Sequence, residues 1–131
     1  MTYRGSGVKG FAKGRAFVAK EGEGRNPFED IPEGSILVSK NISLADSVFV
    51  DFKKVVGMVT EEPDADGQVC TLASGLGIPA VSGIEGCTKN IVTGDRLLIR
   101  NLDVLVNPDL IEVNEFEELR RNSDIQLSLD I

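Results

Sequence analysis

Histidine is absent from the sequence. Histidine is the usual general acid or base near neutral pH and the commonest metal ligand, and its ring nitrogen is the nucleophile of phosphohistidine chemistry. Its absence therefore argues against any catalysis, metal binding or phosphoryl transfer that depends on an imidazole.

Cysteine is scarce as well. Cys70 and Cys87 fit neither a CxxC metal pattern nor the framework of a disulfide-rich domain. Isolated cysteines of this kind are free thiols in a reducing compartment, so we expect no disulfide between them.

Long apolar runs and an excess of positive charge are also missing. The longest apolar runs, such as residues 104–106, are far below the roughly 20 residues that a membrane helix needs, and the N-terminal segment lacks the apolar centre of a secretory signal. The chain has 14 Lys and Arg and 21 Asp and Glu, which gives a net charge of −7. This negative charge disfavours binding to nucleic acids or anionic lipids. We expect a cytoplasmic protein with neither a membrane nor a nucleic-acid partner.

The remaining composition is that of an ordinary globular domain. The chain has 131 residues, of which 41% are apolar and 27% are charged. At this length one hydrophobic core is feasible and a second domain is not. We predict a domain over residues 1–110, followed by a C-terminal helix and tail over residues 111–131.

Short apolar runs predict four strands in the first two thirds of the chain. They cover residues 15–19, 34–39 and 55–60, and a further strand begins at Ile78. The second and third runs are nearly continuous, which is typical of strands buried on both faces of a parallel sheet. Between the first two runs, residues 20–34 concentrate Gly, Pro and charge and predict a long exposed loop.

Helical patterns separate these strands. Apolar residues recur at helical spacing from Ser43, a predicted N-cap with Asp46 three residues later, up to Lys54. A second short helix is predicted over residues 68–76, where Gly77 ends it. Strands and helices in alternation imply right-handed crossovers and a parallel sheet.

The last third of the chain has a different pattern. Two strands, residues 95–100 and 104–106, flank residues 101–103, which we interpret as a three-residue hairpin loop. After Pro108, we predict a surface helix with Asn114 as its N-cap and a Glu117–Arg121 pair, followed by a loose end.

Five segments occur in order along the chain: GSILV at 34–38, VVGMVTE at 55–61, GIPAVSG at 77–83, GD at 94–95 and VNP at 106–108. Together they resemble the mobile phosphohistidine domain of PEP-utilising enzymes, a family that includes enzyme I of the sugar phosphotransferase system, PEP synthase and pyruvate phosphate dikinase. The resemblance covers roughly residues 8–110. It implies a three-layer β/β/α swivelling fold of the α/β class, with a mostly parallel central sheet and a smaller antiparallel sheet.

The same resemblance places the family's phosphocarrier histidine at Gln68. The family motif runs Thr-Glu-x-Gly-Gly-x-Thr-Ser-His, and it aligns with this sequence without a gap. Scaffold residues are kept, but the residues that carry chemistry are replaced. Pro63 and Asp64 stand at the paired glycines, Asp66 at the threonine and Gly67 at the serine.

A glutamine amide can hydrogen-bond a phosphate but cannot accept one covalently, so we expect no catalytic residue at position 68. Weak alternatives remain. Asp66 is either the N-cap of the following helix or an aspartyl-phosphate nucleophile. Cys70 is either a small core residue or a thiol whose pKa is lowered by the helix N-terminus. Thr71 is either structural or phosphorylated.

Any ligand is expected to contact the loop and the start of this helix. An acidic loop is favoured over a cation site there, because the spacing of the carboxylates matches no Ca²⁺-loop pattern, and we predict neither a metal nor a cofactor. The candidate ligand-binding residues are Thr60, Glu61, Asp64, Asp66, Gly67 and Gln68.

Three functions remain open from the sequence. The favoured one is a stand-alone, catalytically inactive relative of the swivelling domain that acts as a binding or regulatory module. The second is a phosphotransfer subunit of a split PEP-utilising enzyme, and the third is a small-ligand or metal binder on the same scaffold. The first two require a protein partner that carries nucleotide-binding or PEP-binding domains.

Overall fold

A single eight-stranded sheet forms the centre of the molecule in the computed structural model, which describes residues 1–20, 26–43 and 47–129. The strands run in the order β1-β8-β7-β3-β4-β5-β6-β2. They are β1 Thr2–Arg4, β2 Ser6–Val8, β3 Phe11–Val18, β4 Ser35–Ser39, β5 Val55–Thr60, β6 Ala80–Ser82, β7 Arg96–Arg100 and β8 Asp103–Val106.

Three α-helices and one short 3-10 helix accompany the sheet in the described residues. The 3-10 helix spans Phe52–Lys54. The α-helices are α1 Gln68–Leu76, α2 Cys87–Asn90 and α3 Leu110–Leu129. No helix in this part of the chain is both long enough and apolar enough to cross a membrane.

The sheet confirms the predicted α/β class. Strands β3, β4, β5 and β6 are parallel neighbours, as the alternation of strands and crossovers predicts. The other four of the seven pairings are antiparallel, and they continue the same sheet on both sides of its parallel centre.

The two edges of this sheet meet. Strands β1 and β2 lie at opposite ends of the strand order, yet only Gly5 separates them in the chain. Since one residue spans less than about 4 Å, the first eight residues bridge the edges and close the sheet into a ring. A side chain at Gly5 would collide with the backbone carbonyl of Ser82.

Side chains alternate between the inside and the outside of this ring. In β4, Ile36 and Val38 join an inner core, whereas Leu37 packs outward with Val69 and Ala73 of α1. Both faces are buried, which explains the nearly continuous apolar runs that predicted β4 and β5.

Helix α3 covers the outer face of the antiparallel part. Phe116 is fully buried against Leu98 and Leu105, and its ring lies 5.8 Å from that of Phe11 in an edge-to-face arrangement. Lys13 reinforces the contact through an ion pair of 2.9 Å with Glu117. The predicted domain boundary at residue 110 stays a prediction, but the helix that begins there packs on the sheet.

Several predicted boundaries in the last third are wrong. Arg100 pairs directly with Asp103, so the hairpin turn contains two residues and not three, with Asn101 in the left-handed region at φ 56°. Helix α3 begins four residues before the predicted N-cap Asn114 and runs to Leu129, so the chain has no loose end in this range.

The start of α3 is a capping box. The Asp109 carboxylate accepts a hydrogen bond of 2.8 Å from the Glu112 backbone N–H, and the Glu112 carboxylate accepts one of 3.2 Å from the Asp109 N–H. Glu117 forms its ion pair with Lys13, and the charge of the predicted partner Arg121 adds a weaker effect: the Lys13 hydrogen bond first, and the nearby Arg121 charge among the smaller causes, lower the pKa of Glu117.

The beginning of the chain also differs from prediction. Strand β3 starts at Phe11 rather than Arg15, and β1 and β2 were not predicted. Within the predicted exposed loop, Phe28 and Ile31 are buried in the outer core, while residues 21–25 lie outside the described residues.

Within the helix predicted from Ser43, Ser47 is helical, and its backbone N–H donates a hydrogen bond of 3.1 Å to the Ser43 carbonyl. The predicted residues Leu44 and Asp46 lie outside the described residues. Beyond them the chain forms a turn in which Val48 is 80% and Phe49 is 60% exposed, followed by the 3-10 helix.

Candidate functional site

The loop that connects β5 to α1 lies at the carboxyl edge of the parallel strands. This is the edge at which open α/β sheets bind their ligands. Residues 62–66 of the loop border a cleft of about 200 Å³ there. Besides the loop, its walls include Asn41, Ile42, Thr60, Gln68 and Val69.

Asp64 occupies the N-terminus of α1. Its two carboxylate oxygens accept hydrogen bonds from the backbone N–H groups of Val69, at 3.0 Å, and Cys70, at 2.9 Å. These are two of the amide groups that have no partner within the helix. The helix N-terminus is therefore already satisfied by a negative charge from the same chain.

The charge on Asp64 is stabilised in the folded state. Partial burial raises the pKa of its carboxyl group, but the hydrogen bonds from the Cys70 and Val69 backbone amides outweigh that effect, and the net pKa is lowered. Asp64 is thus an anion at neutral pH, at the position where a helix N-terminus would otherwise attract a phosphate.

The predicted N-cap Asp66 does not cap this helix. The residue at the N-cap is Gly67, which takes a left-handed conformation with φ 69°, and the capping carboxylate comes from Asp64 two residues earlier than predicted. Asp66 is exposed on the rim of the cleft. The left-handed turn at Gly67 lets the chain double back, so that Asp64 reaches the amides.

Gln68 is the first residue of α1 and is half-buried. Its side chain borders both the loop cleft and a second groove along the outer face of α1. The amide can donate or accept hydrogen bonds at this junction, but it is neither a nucleophile nor a base.

The side chains of Thr60 and Glu61 have partners outside the loop. The Thr60 hydroxyl, only 1% exposed, donates a hydrogen bond of 2.9 Å to the buried Ser82 hydroxyl. The Glu61 carboxylate accepts a hydrogen bond of 3.3 Å from Thr88 in α2. The structure therefore brings Asp64, Asp66 and Gln68 together at the cleft, with the buried Thr60 in its wall, whereas Glu61 does not border the cleft.

The acidic residues of the loop do not converge on one point. Glu62 accepts a hydrogen bond of 2.9 Å from Asn41 and lies 4.0 Å from the Lys40 ammonium group, whereas Asp64 points at the helix. Residues 1–20, 26–43 and 47–129 contain no cluster of three or more metal-ligating side chains.

Cys70 lacks the electrostatic environment of a reactive thiolate. Burial, together with the neighbouring Asp64 carboxylate, raises the pKa of its thiol, the direction opposite to the lowered pKa considered above. Burial and then the charge of Glu61 raise the pKa of Cys87 to about 12. Both cysteines are free, as predicted.

The outer face of α1 is partly apolar and uncovered. Thr71 is exposed on this face, and Leu76 is 40% exposed. A groove of about 460 Å³ follows the face from Asp66 to Leu76, and Leu72 and Gly75 also border it.

Comparison with known proteins identifies the family. The family model described as "PEP-utilising enzyme, mobile domain" matches residues 31–101, which is more than half of the chain. The chain belongs to this family. The matched segment of this mobile domain runs from before β4 to the β7–β8 turn and includes the whole loop and α1.

Relatives of this mobile domain carry the name phosphoenolpyruvate-protein phosphotransferase. The protein from Haemophilus influenzae is 32% identical over 92 residues, which cover 69% of this chain and 16% of that protein. The protein from Staphylococcus carnosus is 26% identical over 94 residues, covering 70% and 16%. The mobile domain thus spans about one sixth of the length of these relatives.

A solved structure has the same fold. The solution structure of enzyme I matches with a TM-score of 0.67 and 22% identity, covering 74% of this chain and 40% of that one. At this identity the match concerns the fold alone. It agrees with the swivelling fold that the sequence resemblance implies.

Proposed function

We propose that this chain is a phosphotransfer-silent mobile domain that acts as a binding or regulatory module. It would dock where an active phosphohistidine domain docks, on a partner that carries PEP-binding or nucleotide-binding domains. Two free thiols, Cys70 and Cys87, fit a reducing compartment such as the cytoplasm.

The observation that carries this proposal is Gln68 at the first position of α1. By its resemblance to the family motif, this is the position of the phosphocarrier histidine. The amide nitrogen of glutamine shares its lone pair with the carbonyl group and cannot attack a phosphoryl donor. Transfer through this position is therefore not expected.

Asp64 gives independent support. It stands at one of the paired glycines of the family motif, and its carboxylate occupies the Val69 and Cys70 amides. A bound phosphoryl group would have to displace this carboxylate or tolerate its charge at close range, which costs free energy in either case. The loop thus caps α1 with its own carboxylate and leaves the Val69 and Cys70 amides unavailable to a phosphate.

The retained scaffold supports a binding role. The apolar groove along α1, from Asp66 to Leu76, is next to the former carrier position and is the surface that we assign to the partner. Replacement of Leu76 with Glu should weaken partner binding, because it places a charge on this face. Leu110→Glu, at a 75% exposed residue on α3, is the matched control.

Radiolabelled PEP tests the absence of phosphotransfer. The chain, incubated with PEP and an extract of the cells that produce it, should remain unlabelled. An acid-labile phosphoryl adduct on the chain would overturn the proposal. The Gln68→His variant should also remain unlabelled, because Asp64 still occupies the helix N-terminus; labelling of that variant would refute the argument from Asp64 alone.

The two alternatives make different predictions. A phosphotransfer subunit of a split enzyme requires a co-purifying partner that turns over PEP or pyruvate only when this chain is present. A small-ligand binder requires that phosphate, pyruvate, a nucleotide or a divalent ion raise the melting temperature, since every ligand of the native state must do so.

A further inference from the structure

A second cleft lies far along the sheet from the loop site, between strands β3 and β7 and the start of α3. Its volume is about 370 Å³, within the range of small-molecule pockets. Its walls include Lys13, Arg15, Arg96, Leu98, Pro108 and Val113. The family resemblance assigns no role to these positions.

Two arginines stand side by side in this cleft. Arg15 of β3 is directly opposite Arg96 of β7, so their side chains project from the same face of the sheet. Both are exposed. Like charges in this arrangement destabilise a strand pair, so the juxtaposition has a cost that an anion between the guanidinium groups would relieve.

No carboxylate of the described residues neutralises this pair. The ion pairs in that part of the chain use Arg4, Lys13, Lys40 and Arg100 as their cations.

The nearby polar groups are already engaged. The Arg15 guanidinium donates a hydrogen bond of 2.9 Å to the Gly94 carbonyl, which restrains its position. The Asp95 carboxylate accepts hydrogen bonds from the Val92 backbone at 2.9 Å and from the Asn107 side chain at 3.2 Å. The Arg96 side chain has no comparable restraint and can turn towards a ligand.

The rest of the cleft is apolar. Leu98 is 2% exposed and Pro108 is buried. Val113 is half-buried and packs against the cluster formed by Leu98, Leu105 and Phe116. The cleft therefore combines an apolar wall with two arginines that have no ion-pair partner among the described residues and with Lys13, which is paired with Glu117. This arrangement suits a ligand with one charged and one apolar end.

We propose that this cleft binds a small organic anion whose head lies between Arg15 and Arg96 and whose apolar body lies against Leu98 and Val113. Guanidinium groups favour carboxylate and phosphate heads, because their planar forks donate two hydrogen bonds to a pair of oxygens. This site is separate from the loop cleft and does not depend on the function proposed for it.

Three probes separate the two parts of the proposal. Hexanoate has both the charge and the apolar body, acetate has only the charge, and hexanamide has the body without the charge. In heteronuclear NMR titrations of the full chain, hexanoate should bind in saturable fashion with shifts centred on Arg96, Leu98 and Val113. Acetate and hexanamide should each bind at least about tenfold more weakly.

Matched variants locate the binding. Arg15→Gln and Arg96→Gln should each weaken hexanoate binding at least about tenfold, because each removes a charged hydrogen-bond donor. Lys89→Gln, which removes one positive charge from an exposed position outside the cleft, should change the affinity less than about twofold. The melting temperature of Arg96→Gln should not fall, since this variant relieves the like-charge pair; Arg15→Gln also loses the hydrogen bond to the Gly94 carbonyl, so its melting temperature is not part of this test.

Three results would overturn the proposal. They are the absence of saturable hexanoate binding, equal binding of hexanamide, and an effect of Lys89→Gln as large as that of Arg96→Gln. A loss of stability in Arg96→Gln would instead give this residue a structural role and would also count against the site.

Discussion

Replacement of Asp64 with Ala should destabilise the protein through the N-terminus of α1. The carboxylate accepts two backbone N–H groups, at 3.0 and 2.9 Å, and its charge faces the positive end of the helix dipole. Loss of an N-cap costs typically about 1 kcal/mol, and the charge–dipole interaction adds a few tenths. We expect the free energy of unfolding to fall by about 1.5 kcal/mol, and the melting temperature by roughly 3–6 °C.

The effect should depend on pH in a defined direction. Because the pKa of Asp64 is lowered in the folded state, its contribution is fully present above the ordinary carboxyl pKa and is lost as the pH falls through the folded value. Urea unfolding of the wild type and of Asp64→Ala should therefore differ by a constant amount from about pH 7 down to about pH 5, and the difference should shrink below that range.

Asp66→Ala is the matched control, because Asp66 is an exposed acidic residue two positions further along the same loop. It should change the free energy of unfolding by less than about 0.5 kcal/mol. An equal loss in both variants, or a loss at Asp64 that persists unchanged in acid, would refute the capping role and the support that it gives to a closed loop.

Three further substitutions test the buried hydrogen bond below the loop, the docking of α3 and the turn at Gly67. Thr60→Val should cost about 1–3 kcal/mol in urea unfolding, because it leaves the buried Ser82 hydroxyl without its 2.9 Å partner; the double variant with Ser82→Ala should lose less than the sum of the two single losses. Phe116→Ala should lower the free energy of unfolding by about 3–5 kcal/mol if α3 is docked on the sheet. Leu119→Ala, at a 44% exposed position, should lower it by less than about 1 kcal/mol. Similar losses in the two variants would contradict the docking. Gly67→Ala should cost roughly 1 kcal/mol or more by calorimetry, because a left-handed φ of 69° is strained for alanine, and a neutral result would mean that the loop adopts another conformation.

The parts of the fold that could be predicted are those specified by local sequence. The continuous apolar runs predicted β4 and β5, and Gly77 ended α1 at the predicted residue. The start of α3 was missed although its capping box is visible in the sequence, because Leu110 and Ile111 are 75% and 69% exposed and obscure the amphipathic pattern.

Strands β1 and β2 could not be predicted from local pattern. Each has three residues, and each pairs with a strand distant in the chain, β8 and β6 respectively. Three residues are too few to show an alternating pattern, and β2 also contains Gly7. The formation of both strands therefore depends on edges that are only available once the rest of the sheet has formed.

The chemistry of the candidate site stays a prediction, and its geometry could not be predicted. By resemblance, the sequence puts Gln68 at the position of the carrier histidine, next to an acidic loop. It did not show that Asp64 rather than Asp66 caps α1, since that depends on the left-handed turn at Gly67, a backbone conformation with no signal beyond the glycine itself. The directions of the Thr60 and Glu61 side chains likewise depend on tertiary partners, Ser82 and Thr88.

The N-terminal segment that joins the two ends of the strand order has a protective consequence. Residues 2–4 cover β8 and residues 6–8 cover β6, so one short peptide masks two otherwise unpaired backbone ladders. Unmasked ladders of this kind recruit strands from other molecules. A chain that lacks residues 1–8 should therefore self-associate through the exposed edges of β8 and β6.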